Sequence, residues 1–262
     1  MKAWDRVLKA RKKDRPTSME YLDAIFDSFI ELHGDRLYSD DKAIVGGLAT
    51  LGDINVTVIT QEKGKKLKDK MTRHFGSPLP DGYRKALRLM KQAEKFNRPI
   101  ICLVDTQGAF CGIEAEERGQ GEAIARNLYE MSALKVPIIT IIIGEGGSGG
   151  ALALAVSDEV WMLENAIYSI LSPEGFASIL YKDGSKAPLI VDEMRITATD
   201  LLDLKVIEKI IDEPEEGIEV NFSQTAAVMK QALIEKIEEL SILDKTTLVN
   251  RRYDRYRQFT YE

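Results

Sequence analysis

Pro137-Ile138-Ile139-Thr140-Ile141-Ile142-Ile143-Gly144-Glu145-Gly146-Gly147-Ser148-Gly149-Gly150 joins an apolar, β-branched run to five glycines within seven residues, and this stretch decides the fold class. The same order occurs 38 residues earlier, where Pro99-Ile100-Ile101 leads through a second apolar run to Asp105-Thr106-Gln107-Gly108. Between the two lies a helical pattern over roughly 116–134. Apolar runs without polar alternation fit strands buried on both faces, and a helical crossover between them makes the strands parallel. Each glycine loop then falls at the carboxyl end of its strand, where α/β sheets build ligand sites.

Working outward, Ala43 to Gly52 and Asn55 to Thr60 read as paired strands around a glycine-containing turn. The first ordered element is expected to be a helix from Ser18 to His33. Thr17 and Glu20 have capping-box spacing, Leu22, Ile25, Phe26, Phe29 and Ile30 form a stripe, and Gly34 stops it. Asp81 to Phe96 has helical spacing through Tyr83, Leu87, Met90 and Ala93, with its Arg and Lys side chains expected to project outward. Downstream, strands are expected at 159–163 and 167–171, helices near 173–181 and 186–193, a surface turn at Pro214 to Gly217, and charged helices over 223–240 and 243–256. These elements predict one α/β domain over 1–262, with helical segments at about 17–34 and 222–257.

The 262 residues carry 36 Lys plus Arg against 42 Asp plus Glu, a formal net charge of -6, which excludes a globally basic nucleic-acid binder. That average hides an asymmetry. Lys63 to Arg98 holds twelve basic and three acidic residues, so this segment is +9 and the remainder -15. A charge block of this size points to an anionic ligand or partner, or to a solvated helix surface. The longest apolar run, Val136 to Ile143, falls far short of the ~20 residues of a membrane helix, and the start of the chain lacks the apolar core of a secretory signal. With Cys102 and Cys111 as the only cysteines, and no zinc-motif spacing among them and the two histidines, the expectation is a reduced, cytoplasmic chain without a metal of its own.

Gly144 to Ala153 fits three motifs. Gly144, Gly146 and Gly149 match the dinucleotide fingerprint, with Glu164 twenty residues after Gly144, but only Gly150 to Ser157 is available for the following helix. Gly146, Ser148 and Gly150 match a nucleophile elbow, yet His33 and His74 both precede Ser148, whereas that triad needs a histidine after it. In the third reading no side chain reacts. Backbone N–H groups of consecutive glycines at a helix start converge on one point with the positive helix end behind them, forming an oxyanion hole.

Five blocks carry a family resemblance: Asp41 to Gly47 (DKAIVGG), Asp81 to Met90 (DGYRKALRLM), Ala115 to Leu128 (AEERGQGEAIARNL), Gly144 to Ala153 (GEGGSGGALA) and Ser172 to Leu180 (SPEGFASIL). Together they resemble the carboxyltransferase alpha subunits of bacterial and plastid acetyl-CoA carboxylases, over about Thr17 to Arg257. The resemblance implies a crotonase-like spiral of ββα units with helical N- and C-terminal additions. It also implies a separate zinc-binding beta subunit in an α₂β₂ heterotetramer, and a biotin carboxyl carrier protein that presents carboxybiotin. The implied reaction moves the carboxyl group to acetyl-CoA, giving malonyl-CoA for fatty acid synthesis. By the same resemblance Gly149 and Gly150 supply one oxyanion hole, for the thioester or the biotin oxygen, with a second on the beta subunit. Gly108, Ala109, Gly146, Gly147, Ala151, Lys63 and Arg73 are the expected substrate-binding positions. Gly150→Val is expected to crowd the hole with little loss of folding.

The chain departs from the family pattern near this loop. Asp105 to Gly112 reads DTQGAFCG where members usually have DTPGAYPG, and Gln61 to Gly64 reads QEKG for HQKG. Losing proline loosens a loop. Two alternatives stand beside the main reading: a carboxyltransferase or decarboxylase subunit for another acyl-CoA, and a non-catalytic scaffold for the beta subunit.

Overall fold

The computed structural model describes residues 1–259. Helices α1 (Ala3–Ala10) and α2 (Ser18–Ile25) lead into strands β1 (Ser28–Glu31), β2 (Ile44–Leu51) and β3 (Ile54–Gln61). Helices α3 (Leu67–Thr72) and α4 (Pro80–Lys95) precede β4 (Ile100–Thr106), and α5 (Ile113–Glu117) with α6 (Gln120–Ala133) make the crossover to β5 (Ile138–Gly147). The short α7 (Ser148–Leu152) follows, then β6 (Glu159–Leu163), β7 (Ile167–Ser169), α8 (Pro173–Tyr181), α9 (Ala187–Ile190), α10 (Ala198–Asp203), β8 (Lys209–Ile211), α11 (Phe222–Ser241) and α12 (Lys245–Arg257).

The eight strands of the described residues form one mixed sheet in the order β1-β2-β3-β4-β5-β6-β8, with β7 on β5. β2 and β3 pair antiparallel, Gly47 opposite Val58, and β3 through β8 run parallel. Every residue of β4 is buried, so both faces of this strand are covered, as its unbroken apolar run requires. β5 pairs through Ile139 to Ile142 with β6, and then through Glu145 to Gly147 with β7. The sheet therefore steps sideways at the glycine loop, and the register of β4 with β5 shifts between Val104 and Thr106.

Several expectations are corrected. The helix of Ser18 to His33 ends at Ile25; Phe26 is extended, and Ser28–Glu31 pairs antiparallel with β2 as an edge strand. Its main chain comes so close that a Cβ on Gly47 would lie 2.0 Å from the Ile30 carbonyl oxygen, so Gly47 admits the strand. The first element is α1, whose Ala3, Val7 and Ala10 pack with Ile167, Val191 and Ile196. The helix of 116–134 is two, broken at Gly119, which takes φ +79°. The helix expected over Gly150 to Ser157 is instead the five-residue α7, beginning at Ser148.

The charge of α4 does not simply face water. Lys85 is fully buried, its Nζ 2.6 Å from an Asp40 carboxylate oxygen and 2.8 Å from the Asp41 carbonyl. Of the twelve basic residues in the +9 segment, Lys63, Lys65, Arg73, Arg84, Lys85 and Lys91 form ion pairs, five of them with carboxylates outside the segment. Under half of the block is thus neutralised from elsewhere in the fold, and Lys66, Lys68, Lys70, Arg88, Lys95 and Arg98 form no ion pair among the described residues.

Candidate functional site: two interlocked glycine loops

The carboxyl ends of β4 and β5 lie side by side, and their loops meet main chain to main chain. A Cβ on Gly147 would fall 2.1 Å from the Gln107 carbonyl oxygen, and one on Gly150 2.6 Å from the Gly108 carbonyl carbon. Only glycine permits that approach. The β4 loop is turned by Thr106, whose hydroxyl accepts from the Gly108 N–H at 3.1 Å and donates to the Gly108 carbonyl at 2.9 Å, while Gly108 takes φ +148°. The Gly150 carbonyl accepts from Gln61 Nε2 at 2.8 Å and from the Tyr83 hydroxyl at 3.3 Å. Held in this way, the first turn of α7 presents N–H groups that have no acceptor within the helix.

Beneath the loops runs a chain of charges. Lys63 Nζ lies 2.6 Å from Asp105 Oδ1 and 3.3 Å from Glu145 Oε1; Arg11 bonds Glu145 at 2.7 Å and Glu174 at 2.6 Å. Asp105 also accepts the Glu145 N–H at 2.8 Å. Burial alone would push Glu145 up, but Lys63 and Arg11 outweigh it and hold the carboxyl below its usual range. Burial likewise disfavours the Lys63 ammonium, and the two carboxylates more than compensate, raising it. Glu145 is held by Lys63 and Arg11, and Asp105 is bonded to Lys63 and to the Glu145 N–H, so both side chains are already engaged and neither stands free as a general base.

Two clefts meet at Ser148, Ser169 and Ile170. One, of about 500 Å³, is bounded by Arg11, Thr106, Glu145, Gly146, Gly147 and Glu174. The other, of about 430 Å³, is bounded by Gly149, Leu152, Tyr168, Leu201 and Val206 and is mostly apolar. A smaller pocket of about 180 Å³ lies between Arg11, Lys12, Lys13, Lys63, Lys70 and Gln107.

The expected site residues are thus largely gathered. Gly108, Ala109, Gly146, Gly147, Gly149 and Gly150 form the loop contact or line the clefts; Ala151 is buried behind it, and Lys63 supports it from below. Arg73 lies elsewhere, bonded to Asp69 at 2.7 Å and to the Lys42 carbonyl at 2.8 Å. Sequence reasoning missed Arg11, Asp105, Glu145 and Tyr83 as supports: Asp105, Glu145 and Tyr83 stand inside the quoted blocks, but nothing local shows which distant groups their side chains meet, and Arg11 lies outside every block. Gln61 stood out only as a departure, yet its amide holds Gly150.

The motif readings now separate. Glu164 pairs with Arg6 at 3.5 Å, and α7 is too short for a dinucleotide crossover helix. The elbow has its strand, its turn with Ser148 at φ +52°, and its helix, but no base: His33 faces Asp40, and His74 stacks on Phe110 with ring centroids 5.2 Å apart. Among the described residues, no group of three or more His, Cys, Asp or Glu is placed to hold a metal, and no helix is long and apolar enough to cross a membrane.

Chain traces with the same arrangement include the transcarboxylase 12S hexamer (TM-score 0.71, 17% identity, 90% of this chain and 43% of that one) and a Pseudomonas malonate decarboxylase hetero-tetramer (0.68, 15%, 91% and 95%), so this chain shares its fold with both. Residues 1–260 match the family described as acetyl co-enzyme A carboxylase carboxyltransferase-like. An acetyl-coenzyme A carboxylase carboxyl transferase subunit alpha from Clostridium acetobutylicum is 57% identical over 97% of this chain and 93% of its own length. A Natranaerobius thermophilus protein named for subunits beta/alpha is 58% identical, this chain covering 42% of it. The chain belongs to the family of acetyl-CoA carboxylase carboxyltransferase alpha subunits.

Proposed function

We propose that this chain, as one carboxyltransferase domain working with a beta subunit, transfers the carboxyl group of carboxybiotin on a separate carrier protein to acetyl-CoA, forming malonyl-CoA. The observation that carries the reading is the pair of glycine loops locked main chain to main chain at the ends of β4 and β5, with the first turn of α7 open toward two clefts. Two clefts meeting at one turn suit a reaction between two large substrates.

Removing a proton from the methyl group beside a thioester throws negative charge onto the thioester oxygen. The N–H groups of Gly149 and Gly150 donate to that oxygen, preorganised by the Gln61 and Tyr83 bonds to the Gly150 carbonyl. Carboxybiotin would supply the carboxyl group, and the ureido nitrogen that loses it would take the methyl proton, so no ionisable side chain of this chain needs to. Gly108, Ala109, Gly146 and Gly147 set the floor of the site, and Lys63 holds both loops from below. Relatives that carry beta and alpha in one chain support a beta partner, here in an α₂β₂ cytoplasmic assembly with the structural zinc on beta.

The test is reconstitution with the beta subunit and a biotinylated carrier, following isotopically labelled carboxyl transfer to acetyl-, propionyl- and butyryl-CoA. Acetyl-CoA is expected to be the preferred acceptor; no transfer from the mixed subunits, or preference for a longer acyl chain, overturns the reading. Replacing the amide between Ser148 and Gly149 by an ester deletes one N–H while keeping every side chain, and is expected to lower kcat about 10²- to 10³-fold.

A further inference from the structure

The glycine loop uses its residues in an unexpected way. None of Gly144, Gly146, Gly147, Gly149 and Gly150 has a left-handed backbone. Gly147 and Gly150 are there for room, against Gln107 and against Gly108 and Ala109. The left-handed residue of the loop is Ser148, with φ +52°. For an L residue this conformation is unfavourable, and glycine would adopt it without penalty. A side chain stands at the one position of the loop where a glycine would relieve strain.

What keeps Ser148 there is its surroundings. Gly147 on one side and Gly150 on the other are pinned against the β4 loop, so the backbone between them has little choice of path. Strain held by neighbours in this way marks positions with a task. The side chain is exposed, and among the described residues its hydroxyl has no hydrogen-bond partner. It stands at the meeting of the two clefts, beside the open first turn of α7. Activation as a nucleophile is ruled out by the neighbourhood: Glu145 and Asp105 are committed to Lys63 and Arg11, and both histidines are engaged elsewhere. A neutral hydroxyl with a free proton, beside an anion-stabilising turn, acts as a donor.

We propose that the Ser148 hydroxyl is a substrate-binding donor that bonds the same substrate oxygen as the first turn of α7, a third donor supplied by a side chain. The inference rests on the oxyanion reading of the loop given above and extends it to a residue outside the glycine pair. In use, the hydroxyl rotates toward the oxygen as charge builds on it.

The experiment uses the full chain reconstituted with its beta subunit, comparing Ser148→Ala and Ser148→Gly with the native protein for kcat, KM for acetyl-CoA, and melting temperature. One neutral hydrogen bond corresponds to about a 5- to 10-fold loss in kcat/KM, expected in both variants and falling mainly on kcat. Ser148→Gly is expected to melt at a higher temperature than the native chain while being slower, a combination that a purely structural serine would not produce. Native kcat/KM in either variant, with the native pair turning over, overturns this proposal and leaves the proposed function standing. A Ser148→Gly chain that melts lower overturns the strain argument and the proposal with it. If the native pair transfers no carboxyl group, both readings fall together.

Discussion

A Cβ placed on Gly150 would stand 2.4 Å from the backbone nitrogen of Ala109, a distance that no relaxation of a side chain can relieve because both partners are main chain. The expectation that Gly150→Val would spare folding is therefore revised. Gly150→Ala is predicted to destabilise by about 1–3 kcal/mol through overpacking. At Gly149 a Cβ would meet only Ile124 carbons at 3.6 and 3.9 Å, and Gly149→Ala should fold with native stability or slightly above. Urea unfolding of the two variants side by side checks this; equal stabilities would contradict the interlock.

Lys63 joins Asp105 from the end of β4 to Glu145 from the end of β5. Removing it leaves two carboxylates facing each other with little water. Lys63→Met is predicted to lose about 2 kcal/mol, below the usual range for a fully buried pair because the lysine is partly exposed. Chemical denaturation measures this, and a neutral result would mean that the loops do not depend on the pair.

Acid should act through the same cluster. Lys63 and Arg11 hold Glu145, and Arg15 holds Glu213, below their usual values despite burial. A depressed carboxylate stabilises the fold above its unfolded value, near 4.5, and loses that contribution as pH falls through the folded value. Stability should thus decline below about pH 4.5. In Lys63→Met, where Arg11 alone is left to hold Glu145 down, the decline between pH 5 and 3 should be shallower. Unfolding free energies across that interval decide it; parallel curves would count against the assignment.

Arg252 of α12 is buried, bonding Asp158 at 2.9 and 2.7 Å and the carbonyls of Met131, Leu134 and Val136. Arg252→Ala should cost about 3–5 kcal/mol, since it strands a buried carboxylate and three carbonyls. Hydrogen exchange is expected to rise first in α12 and at the end of α6; uniform protection would argue otherwise.

The two thiols should differ sharply. Cys102 lies buried in β4, with its pKa pushed up to about 12 by burial, whereas Cys111 is exposed in the following loop. A thiol reagent at pH 8 should titrate one group in the native chain and two in denaturant. Two fast thiols in the native protein would contradict the burial of β4.

Much of this architecture was legible where the signal is local. The apolar runs of β4 and β5, the crossover between them, and the β2–β3 pair follow from patterns that a strand or helix imposes on its own residues. β1 was read as helix because Phe29 and Ile30 continue the stripe of α2, and four residues are too few for alternation to compete. What escaped was contact at a distance. Arg11 finds Glu145 134 residues away, and Lys85 looks like a surface lysine until Asp40 closes over it. The glycines were recognised, but the reason for each was not, since room and backbone freedom leave the same letter in a sequence.

The loop contact also recasts the departures at Gln107, Phe110 and Cys111. Gln107 meets Gly147 through its carbonyl, and its side chain, like that of Cys111, is exposed. Phe110 is fastened by its own N–H and carbonyl, to the Pro78 carbonyl and to Gln120. The interlock therefore depends on the main-chain path and not on the Gln107 or Cys111 side chains, while Phe110 also carries the ring contact with His74. A change at Gly147 or Gly150 is a different matter, since a single added methyl group there would pry the two loops apart.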